Sequence, residues 1–218
     1  MSAAVLVAMV AGAELLAWWL RGRTRLAAVA AWLLVAIVAA GVTGAIGAWG
    51  AVGVAWGAVA WMALRWRVGA DAAIASLVVI AGLLLLADGG PDRAAAVIAG
   101  LGAAVLLAHT SNDVCRDVIA RARTEPEDDA GAPPVVEAPR LRGGRFIGPL
   151  ERWLIVALAV VGAQAVIVGL MAAKGIGRFP EISGDKGRGS TAEEFLVGSL
   201  VSWALAGAAA LLIAVLRG

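Results

Sequence analysis

Long uncharged runs alternate with short clusters of arginine along the chain. The longest run, residues 26 to 64, contains 39 consecutive residues without a charge. At about 1.5 Å per residue, a helix of that length would measure roughly 58 Å, about twice the thickness of the hydrocarbon core of a bilayer. We therefore predict that the run folds back within residues 41 to 50, where repeated glycines permit a tight turn.

The other apolar runs have the length of single membrane-spanning helices. The first, Ser2 to Leu20, is followed by three arginines and is preceded by no basic residue, which is the reverse of the flanks of a secretory signal. We interpret it as a retained span. The predicted spans are residues 2–20, 26–42, 48–64, 72–87, 94–108, 153–173 and 195–216.

Two segments between the spans have a different character. After His109, apolar residues recur at helical spacing with charges on the opposite face, which predicts an interfacial or cytoplasmic helix that extends the fifth span. Asp117 and Arg121 stand at i and i+4 on it. Residues 124–145 are rich in proline, glycine and charge, which predicts a disordered cytoplasmic linker. The predicted units are a five-span bundle with its extension (1–123), this linker, and a two-helix membrane hairpin (146–218).

Basic residues set the predicted orientation, because cytoplasmic loops are enriched in lysine and arginine. With seven spans, the cytoplasmic side would hold 13 of the 18 basic residues and the outside 5. A single crossing by residues 26 to 64 would reverse this bias for most of the chain. We therefore predict an all-α integral membrane protein of the plasma (inner) membrane, with about seven transmembrane helices, the N-terminus outside and the C-terminus in the cytoplasm.

Composition supports the membrane class and excludes several chemistries. The chain is 61% hydrophobic and 16% charged, against about 45–50% and about 25% in soluble domains. One histidine, one cysteine and no tyrosine cannot supply a zinc tetrad, an iron–sulfur cluster or a disulfide framework. We predict no catalytic residue, metal site or cofactor. The net charge of +2 predicts no nucleic-acid partner, since the arginines flank apolar segments; the predicted partner is the lipid bilayer.

Glu14 and Gln164 are the candidate functional side chains inside predicted spans. Glu14 lies about one helical turn before the Trp18–Trp19 pair, where a carboxylate is costly unless it is protonated or paired. It is either a functional intramembrane group or the partner of Arg65 on the same side. Gln164, central in the sixth predicted span, is interpreted as an interhelical hydrogen-bonding group, with substrate binding as the alternative.

The last loop contains the strongest candidate for a ligand site. Both lysines of the chain, Lys174 and Lys186, lie in it, and cations at the end of one helix face the free amides at the start of the next. A small anion or an anionic lipid headgroup could bind there. Pairing of these cations with Glu181, Glu193 and Glu194 is the alternative. The candidate residues are Lys174, Arg178, Ser190, Thr191 and Glu194.

Residues 147 to 203 carry a recognisable pattern: GPLERWLIV, then GAQA, AAKGIGRFPEIS and AEEFLVGSLVSW. It resembles the terminal helical hairpin of a widespread family of uncharacterised bacterial integral membrane proteins. Their hairpin has approximately G-x-x-E-R, A-K-x-x-x-R-F and E-[YF]-x-[LI]-G-[ST]-x-x-S. The tyrosine common after the acidic residue is Phe195 here. The resemblance implies no activity, and it implies that Lys174, Arg178 and Glu194 are the positions to test first.

Two functions remain open after these observations. The first is a non-enzymatic membrane scaffold, accessory subunit or sensor, whose C-terminal hairpin packs against a membrane-protein partner or a lipid headgroup. The second is a small transporter or permease with a polar path formed by Glu14, Gln164, Lys174 and Arg178. An enzyme is disfavoured, because His109 and Cys115 lie roughly 120° apart on one helix and cannot act as a base and nucleophile pair.

Overall fold

Every regular element in the part of the chain that the structure describes is an α-helix. The computed structural model describes residues 1–20, 24–42, 44, 46–88, 90–122, 144–183 and 190–218. Its helices are α1 (Ser2–Trp19), α2 (Thr24–Val42), α3 (Ala48–Arg67), α4 (Ala70–Asp88), α5 (Arg93–Ala108), α6 (Thr110–Ala122), α7 (Gly144–Val160), α8 (Gln164–Ser183) and α9 (Ser190–Arg217).

The predicted fold-back of the long uncharged run is confirmed. Helix α2 ends at Val42 and α3 begins at Ala48, and Gly44 between them has a φ of 68°, which favours glycine. The predicted helix after His109 is also present as α6, which meets α5 with a bend of 46°, while its interfacial or cytoplasmic position stays a prediction. The all-helical prediction holds for all the residues that the structure describes.

Helix α1 is the centre of the bundle and packs against α2, α3, α4 and α5. Small residues allow these helices to approach closely. A Cβ atom added at Gly102 of α5 would lie 3.0 Å from backbone atoms of Ala8, and one added at Gly57 of α3 would meet the side chain of Leu6. Ala4, Ala95 and Ala99 are buried along the same α1–α5 contact.

The single predicted span from Trp153 to Ala173 is wrong, because two helices occupy that stretch. Helix α7 ends at Val160, Gly162 has a φ of 79°, and α8 starts at Gln164. The chain reverses there, since Lys174 returns to Glu151, 23 positions earlier, with Nζ 2.6 Å from Oε2. The C-terminal part is therefore α9 with an antiparallel α7–α8 hairpin, and not a hairpin of two long spans.

The start of α1 and the end of α9 lie at the same end of the bundle. The amino nitrogen of Met1 lies 2.8 Å from Oδ2 of Asp88, the last residue of α4. Four residues later, the backbone N–H of Asp92 donates a hydrogen bond to the carbonyl of Leu216 in α9. This differs from the predicted arrangement, in which the two ends of the chain lie on opposite sides. The cause is the reversal at Gly162, which changes the direction of α9.

Four of these helices are long and apolar enough to cross a membrane. They are Ser2–Trp19, Arg25–Val42, Ala70–Asp88 and Ala192–Arg217, and the bent pair Arg93–Ala108 and Thr110–Ala122 would make a fifth if it formed one span. Many large apolar side chains on them are exposed, including Leu86 at 85% and Leu34 at 64%. Such surfaces are typical of helices that face lipid, so the chain has the features of a multi-pass membrane protein, while the predicted count of seven spans is not confirmed.

Candidate functional site

Charged side chains collect at one end of the bundle, which we call the arginine-rich end. It is formed by the last turns of α1, α3 and α5, by α6, by the first turns of α2 and α4, and by parts of α7, α8 and α9. The described cations there are Arg25, Arg65, Arg67, Arg116, Arg121, Arg152 and Lys174. The opposite end has Arg93 and Arg217 among the described side chains.

Arg65 links three helices at this end. Its Nε lies 3.2 Å from Oε1 of Glu14 in α1, and its Nη2 lies 2.6 Å from Oδ2 of Asp113 in α6. The indole N–H of Trp61, one turn earlier in α3, donates to the same oxygen of Glu14 at 3.2 Å. Glu14 is therefore paired, and of the two interpretations of this carboxylate the structure supports the ion pair with Arg65.

Arg152 is the largest fully buried side chain described, with 2% of its surface exposed. Its Nε donates to the carbonyl of Leu107 at 2.8 Å, and its two terminal nitrogens donate to Oγ of Ser202 and Oδ1 of Asn112. No carboxylate oxygen of the described residues lies within 4.0 Å of it. A buried guanidinium is costly unless its donors are satisfied, so these contacts join α7 to α5, α6 and α9.

Glu151, the neighbour of Arg152, is the centre of a second cluster. Its carboxylate accepts hydrogen bonds from Nζ of Lys174 at 2.6 and 2.9 Å and from the indole N–H of Trp203 at 2.8 Å. The ammonium of Lys174 also lies over two rings of α9, 5.8 Å from the centroid of Phe195 and 5.5 Å from that of Trp203. Cation–π attraction adds to the ion pair, so this cluster fastens α8 to α7 and α9.

Helix α6 docks on the start of α4. Oδ2 of Asp117 accepts the backbone N–H of Ala70 at 2.8 Å, which satisfies one of the free amides at that helix terminus. Arg121 forms an ion pair with Asp71. Asp117 and Arg121 therefore both contact α4, although their spacing predicts that they pair with each other.

The residues of the predicted anion site are only partly described. Lys174 is paired with Glu151, which lies on α7 and not in the last loop. Arg178 lies within α8, and Ser190 and Thr191 begin α9, but their side chains lie outside the described residues. Glu194 is half-buried in the first turns of α9. Anion binding by this set stays a prediction.

The remaining polar candidates fall in different places. Gln164 is exposed at the start of α8, next to the reversal at Gly162, and so does not lie between helices in the bundle interior. The ring of His109 lies 5.3 Å from that of Trp18. Cys115 is half-buried, and its Sγ lies 3.8 Å from the carbonyl oxygen of Gly198. The structure thus places Glu14, Lys174 and Gln164 in separate surroundings.

A cleft of about 1270 Å³ opens at the arginine-rich end. Its walls come from the end of α1, the start of α2, the end of α3, the junction of α5 and α6, and the start of α7. Arginine, tryptophan and acidic side chains all line the cleft, the acidic ones being Glu14 and Asp113. The principal lining side chains are Arg25, Arg65, Arg116, Trp18, Trp66 and Trp153. Sequence patterns did not indicate this cleft, because its walls come from six helices.

No protein-family model, curated protein or solved structure matches this chain. The resemblance of residues 147 to 203 to a bacterial membrane-protein family therefore stays a prediction. In the structure the matching positions Glu151, Arg152, Lys174 and Ser202 lie together, where the middle of α7 meets α8 and α9. Their convergence could not be deduced from the motif alone.

Proposed function

We propose that the protein is a non-enzymatic multi-pass protein of a bacterial plasma membrane that serves as a scaffold, accessory subunit or sensor. In this proposal α1, α2, α3, α4, α5 and α9 cross the membrane, and α7 and α8 form a re-entrant hairpin. From Glu151 to the end of α7 at Val160 the helix rises only about 14 Å, roughly half of a hydrocarbon core. The partner expected in this proposal is another membrane protein, which the scaffold would bind.

Charge supports this topology more strongly than it supports seven spans. A re-entrant hairpin moves Lys174, Arg178, Lys186 and Arg188 to the arginine-rich side, and moves Arg217 away from it. The division of the 18 basic residues then changes from 13 and 5 to 16 and 2. Because arginine and lysine are enriched on the cytoplasmic side, the arginine-rich end faces the cytoplasm, and α1 begins and α9 ends outside.

One observation carries the assignment of function. The carboxylates of Glu14 and Glu151, whose side chains are only 11% and 10% exposed, each accept an N–H of a cation and an N–H of an indole from other helices. A general acid or base, or a proton carrier, must exchange its proton with a substrate or with water. Glu14 and Glu151 are engaged by donors from other helices, so in this proposal they join helices and do not exchange protons.

A transporter or permease is the second candidate, and the reversal at Gly162 favours it. Broken and re-entrant helices surround the substrate sites of many transporters. The polar path proposed from the sequence would require Glu14, Gln164, Lys174 and Arg178 to act along one route, and the first three have separate surroundings.

Reconstitution distinguishes the two functions. For the scaffold, we expect a stoichiometric membrane-protein partner to copurify after mild solubilisation, and proteoliposomes of the purified protein to conduct no ions or small solutes. Flux that disappears in both Glu14→Gln and Lys174→Ala variants, while Arg93→Gln keeps it, would instead establish transport.

A further inference from the structure

The cleft at the arginine-rich end has the size and the chemistry of a ligand site. Its volume of about 1270 Å³ is larger than the roughly 300–1,000 Å³ of typical small-molecule sites, so a small-molecule ligand would fit. Both charged and aromatic side chains line it, with Arg25, Arg65 and Arg116 as its cations and Glu14 and Asp113 as its anions. It is separate from the predicted anion site around Lys174, because Lys174 is not among the lining residues.

The carboxylates of the cleft are already engaged. Glu14 and Asp113 both accept hydrogen bonds from Arg65. Asp113 also forms an ion pair with Arg116, with Nη1 3.2 Å from Oδ1. Arg65 therefore has two carboxylate partners, and Arg116 shares one of them while 73% of its side chain remains exposed. The balance of charge in the cleft is positive.

Arg25 provides the observation that points to a ligand. It lines the cleft, and no carboxylate oxygen of the described residues lies within 4.0 Å of its guanidinium. Its Nε is buried by the protein, so a ligand in the cleft would contact the outer nitrogens of the guanidinium. Phosphate oxygens are the acceptors that arginine binds most readily, often through two N–H groups at once.

The position of the cleft indicates where such a phosphate would come from. Trp18, Trp66 and Trp153 line it, and each is 41% to 57% exposed. Indole rings collect at the level of lipid headgroups, where one edge contacts acyl chains and the N–H contacts polar groups. The cleft therefore lies at the depth at which a phospholipid presents its phosphate.

We propose that this cleft binds the phosphate group of an anionic amphiphile through Arg25 and Arg116, with the tryptophans contacting the apolar part of the ligand. A phospholipid headgroup and a soluble phosphate ester share this chemistry. The proposal goes beyond the scaffold assignment, since it specifies a ligand that the protein binds whether or not it has a protein partner.

The test measures lipid retention by the full chain. Protein is extracted from phosphatidylcholine nanodiscs with and without phosphatidylglycerol, and the bound lipid is quantified by native mass spectrometry. We expect selective retention of phosphatidylglycerol, reduced about tenfold by Arg25→Gln and by Arg116→Gln, each of which removes one charge-assisted contact. Arg93→Gln, at the opposite end, should retain the lipid as the wild type does.

A parallel arm titrates inorganic phosphate into the protein in phosphatidylcholine nanodiscs by calorimetry. Binding of inorganic phosphate that Arg116→Gln abolishes, without retention of phosphatidylglycerol, would support the phosphate site and assign it to a soluble ligand. If Arg25→Gln fails to fold, Arg116→Gln decides, because that side chain is mostly exposed. The proposal is overturned if neither probe binds, if the two variants bind as the wild type does, or if Arg93→Gln lowers retention equally.

Discussion

Nζ of Lys174 lies 2.6 Å from Oε2 of Glu151, although the two residues are 23 positions apart in an apolar stretch. A continuous helix would separate them by about 35 Å. Their contact therefore requires the chain to reverse between them, and Val161, Gly162 and Ala163 are where it does so. This ion pair shows that residues 151 to 174 do not form one straight helix.

Cysteine accessibility tests the reversal directly. In a Cys115→Ser background, Ile176→Cys should react with a membrane-impermeant maleimide from the same side as Arg67→Cys, because α8 returns to the arginine-rich end. Arg217→Cys should react from the side of Arg93→Cys. All four side chains are exposed. Labelling of Ile176→Cys together with Arg93→Cys would restore the seven-span topology.

Most helices of the bundle were predictable from hydropathy, but the reversal at Gly162 was not. Free energies of transfer identify segments that prefer lipid, and a re-entrant hairpin prefers lipid as much as a crossing helix does. Gly162 is one of 28 glycines, and Gln164 is the only hydrophilic side chain between residues 154 and 173, so the sequence shows no polar turn there. At residues 41–50, by contrast, several glycines stand close together in a run too long for one crossing, so that turn was predictable.

The candidate site was less predictable than the helices. The Glu14–Arg65 pair was foreseeable, since both residues fall on one side of the bilayer near the ends of predicted spans. The burial of Arg152 could not be predicted, because an arginine beside a tryptophan is typical of a residue that anchors a helix at the membrane interface. Its location depends on acceptors from Leu107, Asn112 and Ser202, which meet only after three other helices pack.

The native cysteine should react slowly. Burial raises the pKa of the Cys115 thiol, and the positive charges of Arg152 and Lys174 offset this only in part. The thiolate is the reactive form, so a raised pKa lowers the reactive fraction at neutral pH, and reaction should accelerate as the pH rises. In permeabilised cells we expect Cys115 to react more slowly than Arg67→Cys at neutral pH. Equal rates would show that the α6–α9 contact opens readily.

Exchanging the charges of Glu151 and Lys174 tests the cluster that fastens α8 to α7 and α9. Lys174→Glu alone should place two carboxylates together and destabilise the protein by about 1–3 kcal/mol. The double variant Glu151→Lys with Lys174→Glu should recover part of that loss, although it forfeits the hydrogen bond from Trp203. Denaturant unfolding in detergent measures both. Double-variant stability no higher than that of Lys174→Glu would mean that the ion pair does not hold the hairpin.

Arg152 should be the least replaceable cation at the arginine-rich end. Arg152→Met keeps an apolar stem but removes the donor of the buried hydrogen bonds to Leu107 and Ser202. We expect a loss of about 3 kcal/mol in the free energy of unfolding. Arg116→Gln is the matched control, because a mostly exposed ion pair contributes roughly 0–1 kcal/mol. Similar losses in both variants would contradict the assigned role of the buried contacts.

Because α1 and α5 are in close contact, replacing Gly100 and Gly102 of α5 by alanine should change the stability in opposite directions. Alanine favours a helix over glycine by about 1 kcal/mol, so Gly100→Ala, whose added Cβ meets only a side-chain atom of Ile213 at 3.7 Å, should be neutral or stabilising. At Gly102 the same Cβ would lie 3.0 Å from the backbone of Ala8, and separating the helices should cost about 1–3 kcal/mol. Thermal unfolding followed by tryptophan fluorescence should therefore give a lower midpoint for Gly102→Ala than for Gly100→Ala. The reverse order would mean that α1 and α5 are not in backbone contact.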